Sequence, residues 1–374
     1  MILTLLGTLA LASSTPVELL SIAPALQAPA VESFAVRAKL VKLGDGTTLE
    51  EGVVWVEDGK IRAVGRGVEL PDGTILIEHG GVLTAGMVAP HSYTGAGPEL
   101  TDSTRAFLPD VHAKYAYNSD HSDFRRAVEA GVTTVLLAPQ RTNVAGGLTA
   151  AVKSFGDRVL SADEHLHLSL HTTALWGWRE PTSWPGAIAE LERRLRKGDG
   201  AFGEVAAGRL PVILEAWDRQ ETSRALDFAI RNKLTGSLRG GSRAGELVDR
   251  VIASKLAMIV GPFSVTEDKR HIDSVLTLAE AGVAISFGMS SPDEDPRSMR
   301  LSAAQCVRAG LDRTLAWQSL TSTAATIAGV GEQVGRLERG FDADLVLWSG
   351  EPLELTSRVE AVYVDGKLAF GGDR

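Results

Sequence analysis

Alternate polar residues in one apolar segment could bind a metal ion. In the segment HLHLSLH every second residue is polar: His165, His167, Ser169 and His171. On a β-strand, alternation places these side chains on one face, and two imidazoles spaced two residues apart on a strand can bind zinc. The sequence favours the alternative that they are polar positions of a partly buried strand, because short motifs over-predict sites.

A second candidate is His91, which is followed directly by Ser92 and Tyr93. Imidazole is a common zinc ligand, whereas a phenol, with an ordinary pKa of about 10, is a poor one at neutral pH. Adjacency alone does not make His91 and Ser92 a base and a nucleophile, and the chain has no Gly-x-Ser-x-Gly elbow. The single cysteine, Cys306, is predicted to be a small apolar core residue of a helix. Nucleophilic catalysis therefore gains no support.

Short apolar strands alternate with helical patterns between residues 86 and 334. The candidate strands cover residues 133–138, 166–171, 210–216, 257–261 and 283–287. The candidate helices cover residues 121–130, 186–197, 220–233, 244–254, 266–282 and 298–309. Repeated strand-to-helix units predict right-handed crossovers and a parallel sheet. Their total length, about 250 residues, suits a (β/α)8 TIM-type barrel with its active site at the C-terminal ends of the strands. A doubly wound sheet is the alternative, but no Gly-x-Gly-x-x-Gly turn directly follows a candidate strand.

The two ends of the chain have a different, strand-like pattern. Residues 34–85 contain alternating apolar runs joined by Asp58-Gly59, and residues 335–374 contain a similar pair joined by Asp365-Gly366. An Asp-Gly pair favours a tight hairpin, because glycine accepts the positive φ that the turn needs. Neither end is long enough for a sheet with its own core. We therefore predict that both ends form one composite β-sandwich beside the barrel of residues 86–334.

Several segments carry a resemblance to a known family. They are TAGMVAPHSYTG (84–95), DGKIRAVG (58–65), AGVTTV (130–135), PTSWPGAIAEL (181–191), LTSTAATIAGV (320–330) and GRLERGFDADLV (335–346). In order and spacing the chain resembles the amidohydrolase superfamily, in particular its imidazolonepropionase-like metal-dependent hydrolases. The resemblance implies a (β/α)8 barrel with a composite β-sandwich, and hydrolysis of amide, cyclic amide or peptide-like C–N bonds.

The resemblance also implies a metal centre, which this chain matches only in part. Such enzymes carry His-x-His after the first barrel strand, a carboxylate or carboxylated lysine after the fourth, histidines after the fifth and sixth, and an aspartate after the eighth. Here His91 and Tyr93 stand at the first pair, and Glu215 stands at the fifth-strand position. The sixth-strand segment GSLRGG has Arg239 and no histidine, and Ser290 stands where the aspartate would be. A serine cannot act as a general base near neutral pH.

The sequence therefore favours a degenerate, metal-free member, a pseudoenzyme that keeps the barrel as a ligand-binding or interaction scaffold. The alternative is an active hydrolase with one divalent ion, zinc, held by His91, Glu215 and His171, the last of which ends its predicted strand. The predicted pocket residues are His91, Tyr93, His171, Glu215, Arg239 and Ser290. The predicted partner is a small-molecule ligand or a peptide-like substrate.

Composition and charge exclude other classes. The 374 residues are 44% hydrophobic and 23% charged, as in globular proteins. A net charge of -9 argues against a nucleic-acid partner, and one cysteine excludes a disulfide framework. The apolar run at residues 1–14 is too short to span a bilayer and predicts a signal peptide or leader at residues 1–30. We therefore expect export, to the periplasm for example, and no integral membrane span once the leader is removed. A cytoplasmic location is the alternative, and association into a homo-oligomer stays open.

Overall fold

The computed structural model describes residues 33–100, 102–291 and 293–371, which belong to one compact unit. The predicted leader at residues 1–30 lies outside the described residues. In this described part of the chain, no helix is both long enough and apolar enough to cross a membrane.

Fifteen strands form within the described residues. Those from the two ends of the chain are β1 (Ser33–Lys42), β2 (Thr48–Glu57), β3 (Lys60–Gly65), β4 (Ile75–Ala85), β13 (Leu345–Trp348), β14 (Val359–Val364) and β15 (Lys367–Gly371). Those between are β5 (Met87–Ser92), β6 (Val132–Leu137), β7 (Ala145–Lys153), β8 (Val159–Ser169), β9 (Val212–Ala216), β10 (Gly236–Gly240), β11 (Ala257–Val260) and β12 (Ile285–Phe287).

In the described residues, the α-helices lie along the chain between β5 and β13. They are α1 (Ser122–Glu129), α2 (Trp184–Lys197), α3 (Gly200–Ala206), α4 (Arg219–Asn232), α5 (Val248–Ser254), α6 (Lys269–Glu280), α7 (Ser298–Ala309), α8 (Arg313–Gln318) and α9 (Ser322–Ile327). Capping residues fix where they begin. The side chain of Asp218 accepts the Glu221 N–H at the start of α4, and the Glu221 side chain accepts the Asp218 N–H in return.

The strands β5 to β12 form one eight-stranded sheet in chain order. The sheet curls until its two outer strands nearly meet. Beyond β12, the N–H of Met289 donates to the carbonyl of His91 in β5 (3.2 Å). The N–H of Val88 in β5 donates to the carbonyl of Leu320 (2.9 Å), so the chain just before α9 fills the remaining gap. The predicted α/β fold with a barrel sheet is confirmed.

One part of the predicted topology is wrong. The sequence predicted a parallel sheet, but β7 is antiparallel to both of its neighbours, β6 and β8. The connections on either side of β7 cover only residues 138–144 and 154–158. A parallel crossover needs about a dozen residues or more, so β7 can only return beside its neighbours as a hairpin strand.

The two ends of the chain share one seven-stranded sheet, with the order β15-β14-β13-β4-β1-β2-β3. The C-terminal strand β13 pairs antiparallel with the N-terminal strand β4, which makes the sheet composite. Both predicted Asp-Gly hairpins are confirmed: Asp58, Gly59, Asp365 and Gly366 all have positive φ. A division of this sheet into the two layers of a sandwich stays a prediction.

A buried ion cluster joins the composite sheet to the barrel. The Lys153 ammonium, at the end of β7, lies 2.9 Å from Asp342, 2.8 Å from Asp344 and 3.1 Å from Asp365. Asp342 and Asp344 belong to the segment that leads into β13, and Asp365 lies in the last hairpin turn. Three carboxylates from the C-terminal segment are thus held by one lysine of the barrel.

Candidate functional site

His91 lies inside the barrel because β5 is irregular at this point. The pairing register with β6 shifts between Ala89 and Ser92, which breaks the simple alternation of faces. The imidazole is 1% exposed, and neither ring nitrogen has a hydrogen-bond partner. Burial lowers the pKa of His91 to about 3, against the opposing charge of Glu215. The ring is therefore neutral and offers a free lone pair.

His167 and Glu215 meet across the neighbouring parallel strands β8 and β9. Ser169 is the register partner of Glu215, so His167 and Glu215 lie two residues apart along this ladder and on the same face. The Nε2 atom of His167 lies 3.1 Å from Glu215 Oε2, and His91 Nε2 lies 3.9 Å from the same oxygen. One donor atom from each of the three side chains lies within 4.8 Å of the others. Two imidazoles and a carboxylate form a zinc ligand set.

Glu215 is held as a carboxylate. Burial by itself would raise its pKa, but the hydrogen bond from His167 and nearby positive charge hold the pKa well below its ordinary range. The indole Nε1 of Trp217 donates to Glu215 Oε1 (2.8 Å). Arg141 Nη1 lies 3.9 Å from the same oxygen. The carboxylate therefore enters the pocket charged and with a fixed orientation.

Arg239 occupies the sixth-strand position and is fully buried at 2% exposure. Its Nη1 donates to the carbonyl of Gly261, its Nη2 lies 3.5 Å from the Ser290 hydroxyl, and its Cζ lies 4.8 Å from the centre of the Trp217 ring. A Cβ at Gly288 would lie 2.9 Å from Arg239 Cζ, so a glycine is needed there for the guanidinium to fit. Burial lowers the pKa of Arg239, but a guanidinium stays charged in proteins.

Tyr93 packs its ring edge-on against His91, with 5.3 Å between ring centres. Burial raises the pKa of Tyr93 above its ordinary range, and the Glu215 carboxylate adds to the shift. The phenol is therefore neutral, and a neutral phenol is a poor ligand for a divalent ion. Its hydroxyl can donate a hydrogen bond.

Known proteins match both the sequence and the fold. The amidohydrolase family model matches residues 246–369. An imidazolonepropionase from Acidiphilium cryptum (strain JF-5) is 29% identical over 157 residues, which are 41% of this chain and 39% of the relative. The amidohydrolase tasK of Hapsidospora irregularis is 30% identical over 93 residues, 25% of this chain and 10% of the relative. The matched segments thus span well under half the length of either curated relative.

Solved structures share the fold over most of the chain. An amidohydrolase from Thermotoga maritima MSB8 superposes with a TM-score of 0.80 at 22% identity, covering 91% of this chain and 100% of that one. A Xaa-Pro dipeptidase with bound methionine in its active site gives a TM-score of 0.63 at 14% identity, with 91% and 100% covered. The sequence and fold matches together support membership of the amidohydrolase superfamily.

Five of the predicted pocket residues surround the centre and one does not. His91 and Glu215 face each other, Tyr93 packs on His91, and Arg239 reaches Ser290. His171 lies beyond the end of β8, where its Nδ1 accepts the Thr173 N–H (3.2 Å) and caps a short 3-10 helix.

The third donor beside His91 and Glu215 is His167, which sequence reasoning had set aside as a polar strand position. The described residues contain one group of three or more potential metal ligands, and His167 completes it. The available signal was the alternation of polar residues along β8, which marks the inward face of the strand. The sequence did not show that Glu215 of β9 lies beside His167, because this depends on the register in which β8 pairs with β9.

Proposed function

We propose that this protein hydrolyses a C–N bond of a small-molecule or peptide-like substrate, with one divalent metal ion held by His91, His167 and Glu215. The observation that carries the proposal is the buried His91 ring, both of whose nitrogens lack a partner. An unpaired buried polar group costs about 1–3 kcal/mol, and a bound ion is one standard way in which a native fold satisfies such a group. An ion near the His91 lone pair would also meet the Glu215 carboxylate and the second imidazole.

The residues present suit such an ion. His91 is neutral and Glu215 is ionised, which are the protonation states that ligands require. Trp217 fixes the second carboxylate oxygen of Glu215, as outer partners of metal ligands commonly do. When bound, the ion would polarise a carbonyl oxygen and lower the pKa of a water molecule. The proposal extends the zinc alternative drawn from the sequence, with His167 in the place given to His171.

Turnover is expected to be slow. Ser290 stands at the position after β12 where related hydrolases carry an aspartate, and a serine hydroxyl does not accept a proton near neutral pH. A positioned general base contributes typically about 10²- to 10⁴-fold to the rate. Arg239 and the neutral Tyr93 remain as hydrogen-bond donors that can orient the substrate.

Elemental analysis of protein purified without chelators tests the proposal. We expect about one equivalent of zinc or another divalent metal per chain, lost in His91→Ala, His167→Ala and Glu215→Gln. His171→Ala is the matched control, because this histidine follows the same strand but points to its own helix cap. It should retain the metal. The metal-loaded protein is then assayed with cyclic amides and dipeptides.

A second candidate function is a metal-free binding scaffold, which the sequence favoured. The buried Arg239 supports it, because a permanent cation beside the site opposes the binding of a second cation. Protein without metal, whose melting temperature does not change when zinc is added, would support the scaffold and contradict the hydrolase. Metal retained by His91→Ala would also contradict the proposed ligand set.

A further inference from the structure

Arg239 carries a buried positive charge that lacks a close counter-ion. Its hydrogen bonds go to neutral acceptors, the carbonyls of Ile259 and Gly261 and the hydroxyl of Ser290. Its Nε has no partner at all. In the part of the chain that the structure describes, no carboxylate oxygen lies within 4.0 Å of the Arg239 guanidinium. Burial of an unpaired charge is costly, so such groups commonly mark functional positions.

A second guanidinium stands nearer to solvent in the same pocket. Arg141 Nη1 lies 3.9 Å from Glu215 Oε1, and its side chain is 41% exposed. Its Cζ lies 5.5 Å from the centre of the Trp217 ring, the ring that Arg239 also contacts. One arginine therefore lies in the interior and one near the rim, and the same indole touches both.

The two guanidinium groups have little negative charge close to them. Among the described residues, Glu215 is the one side chain with a carboxylate oxygen within 4.0 Å of either group, at 3.9 Å from Arg141, and Glu294 acts on Arg239 only from a greater distance. A divalent ion at the proposed centre would add positive charge beside them. An anion would reduce it, and the planar fork of a guanidinium matches a carboxylate through two parallel hydrogen bonds.

We infer that the substrate carries a carboxylate, which Arg141 and Arg239 bind beside Trp217. The inference rests on the proposed function, which supplies the C–N bond that is cleaved. It narrows the substrate class to N-acyl amino acids and related acids. The preference for charge itself belongs to the two arginines. It is therefore expected with or without a bound metal ion.

Two compounds of nearly equal size and shape test the charge preference. N-acetyl-L-leucine carries a carboxylate, and N-acetyl-L-leucinamide replaces it with a neutral amide. Each is titrated calorimetrically into zinc-loaded protein and into protein treated with a chelator. We expect the acid to bind about 10- to 100-fold more tightly than the amide, as expected for charge-assisted hydrogen bonds.

Three variants separate the arginines from general electrostatics. Arg141→Gln and Arg239→Gln should each weaken binding of the acid about tenfold or more, with little effect on the amide. Arg219→Gln is the control, because Arg219 is 54% exposed and pairs with Glu246. It should leave both affinities unchanged. Arg141→Gln keeps the test valid even where the buried Arg239→Gln fails to fold, since Arg141 lies near the surface.

The outcomes distinguish this inference from the proposed function. Equal affinity for the acid and the amide, or no binding of either, overturns the inference even where metal is present. A preference for the acid that persists in both Arg141→Gln and Arg239→Gln also overturns the inference. Displacement of the acid by inorganic phosphate at an equal concentration overturns it as well. A preference for the acid in a protein that never holds metal leaves the inference standing and removes the hydrolase proposal.

Discussion

Replacement of Lys153 by methionine is expected to destabilise the protein strongly. The Lys153 side chain is 0% exposed and lies within ion-pair distance of three carboxylates, of which Asp342 and Asp344 are themselves buried. Methionine fills a similar volume but removes the charge that these carboxylates share. Loss of one partner from a buried ion pair costs about 3–5 kcal/mol, because the remaining charge stays buried without compensation. We expect the free energy of unfolding of Lys153→Met to fall by about that amount.

Lys60 provides the matched control. Its ammonium lies 2.6 Å from Asp342, closer than that of Lys153, but its side chain is 40% exposed. Solvent screens such a pair, and exposed ion pairs contribute about 0–1 kcal/mol. Lys60→Met should therefore lower the free energy of unfolding by about 1 kcal/mol or less. Distance alone would predict the opposite order, so the comparison tests burial as the cause.

The loss in Lys153→Met should depend on pH with a definite sign. Burial raises the pKa of Asp344 even in the wild type, and removal of Lys153 leaves that rise unopposed. An acid whose pKa is higher in the folded state destabilises that state when it ionises, and this penalty disappears as the pH falls through the raised pKa. In the wild type, Lys153 lowers the pKa of Asp342 against the effect of burial, so stability from that pair is lost on acidification. The difference between variant and wild type should therefore be largest near neutral pH and shrink toward a pH of about 4.

Urea unfolding followed by circular dichroism measures both effects. Wild type, Lys153→Met and Lys60→Met are compared at several pH values in the same buffer series. A loss of less than about 1 kcal/mol in Lys153→Met near neutral pH would refute the reasoning. So would a difference from wild type that grows on acidification, since protonation of Asp344 and its neighbours can only relieve repulsion.

Three further predictions concern single residues. Gly288→Ala should displace the guanidinium of Arg239, which lies 2.9 Å from the new Cβ position. The preference for N-acetyl-L-leucine over its amide, measured by calorimetry, should then fall. An unchanged preference would contradict the role of this glycine. Trp217→Phe removes the donor to Glu215 Oε1, so zinc affinity measured by chelator competition should fall about 10- to 100-fold, and an unchanged affinity would speak against orientation by the indole. Cys306 is buried and its pKa is raised to about 12, so a thiol reagent near pH 8 should label the unfolded chain and leave the native protein unlabelled.

Local patterns along the chain predicted most of the fold. The alternation of strands and helices indicated the barrel, and the two Asp-Gly turns indicated hairpins at both ends, which share one sheet. These signals depend on residues close together in sequence, such as the glycine that a tight turn requires. The antiparallel strand β7 was missed, because its direction follows from the short loops on either side and not from its own residues.

The sequence by itself indicated the family, the barrel and two of the three clustered donors, His91 and Glu215. Only the tertiary structure shows that the third donor is His167 and not His171. Both residues lie on the same alternating run, but the register of β8 against β9 brings His167 to Glu215. The shift in β5 then turns His91 toward the same point. Register is a relation between segments far apart in the chain, and a change of one residue moves a side chain to the other face of the strand.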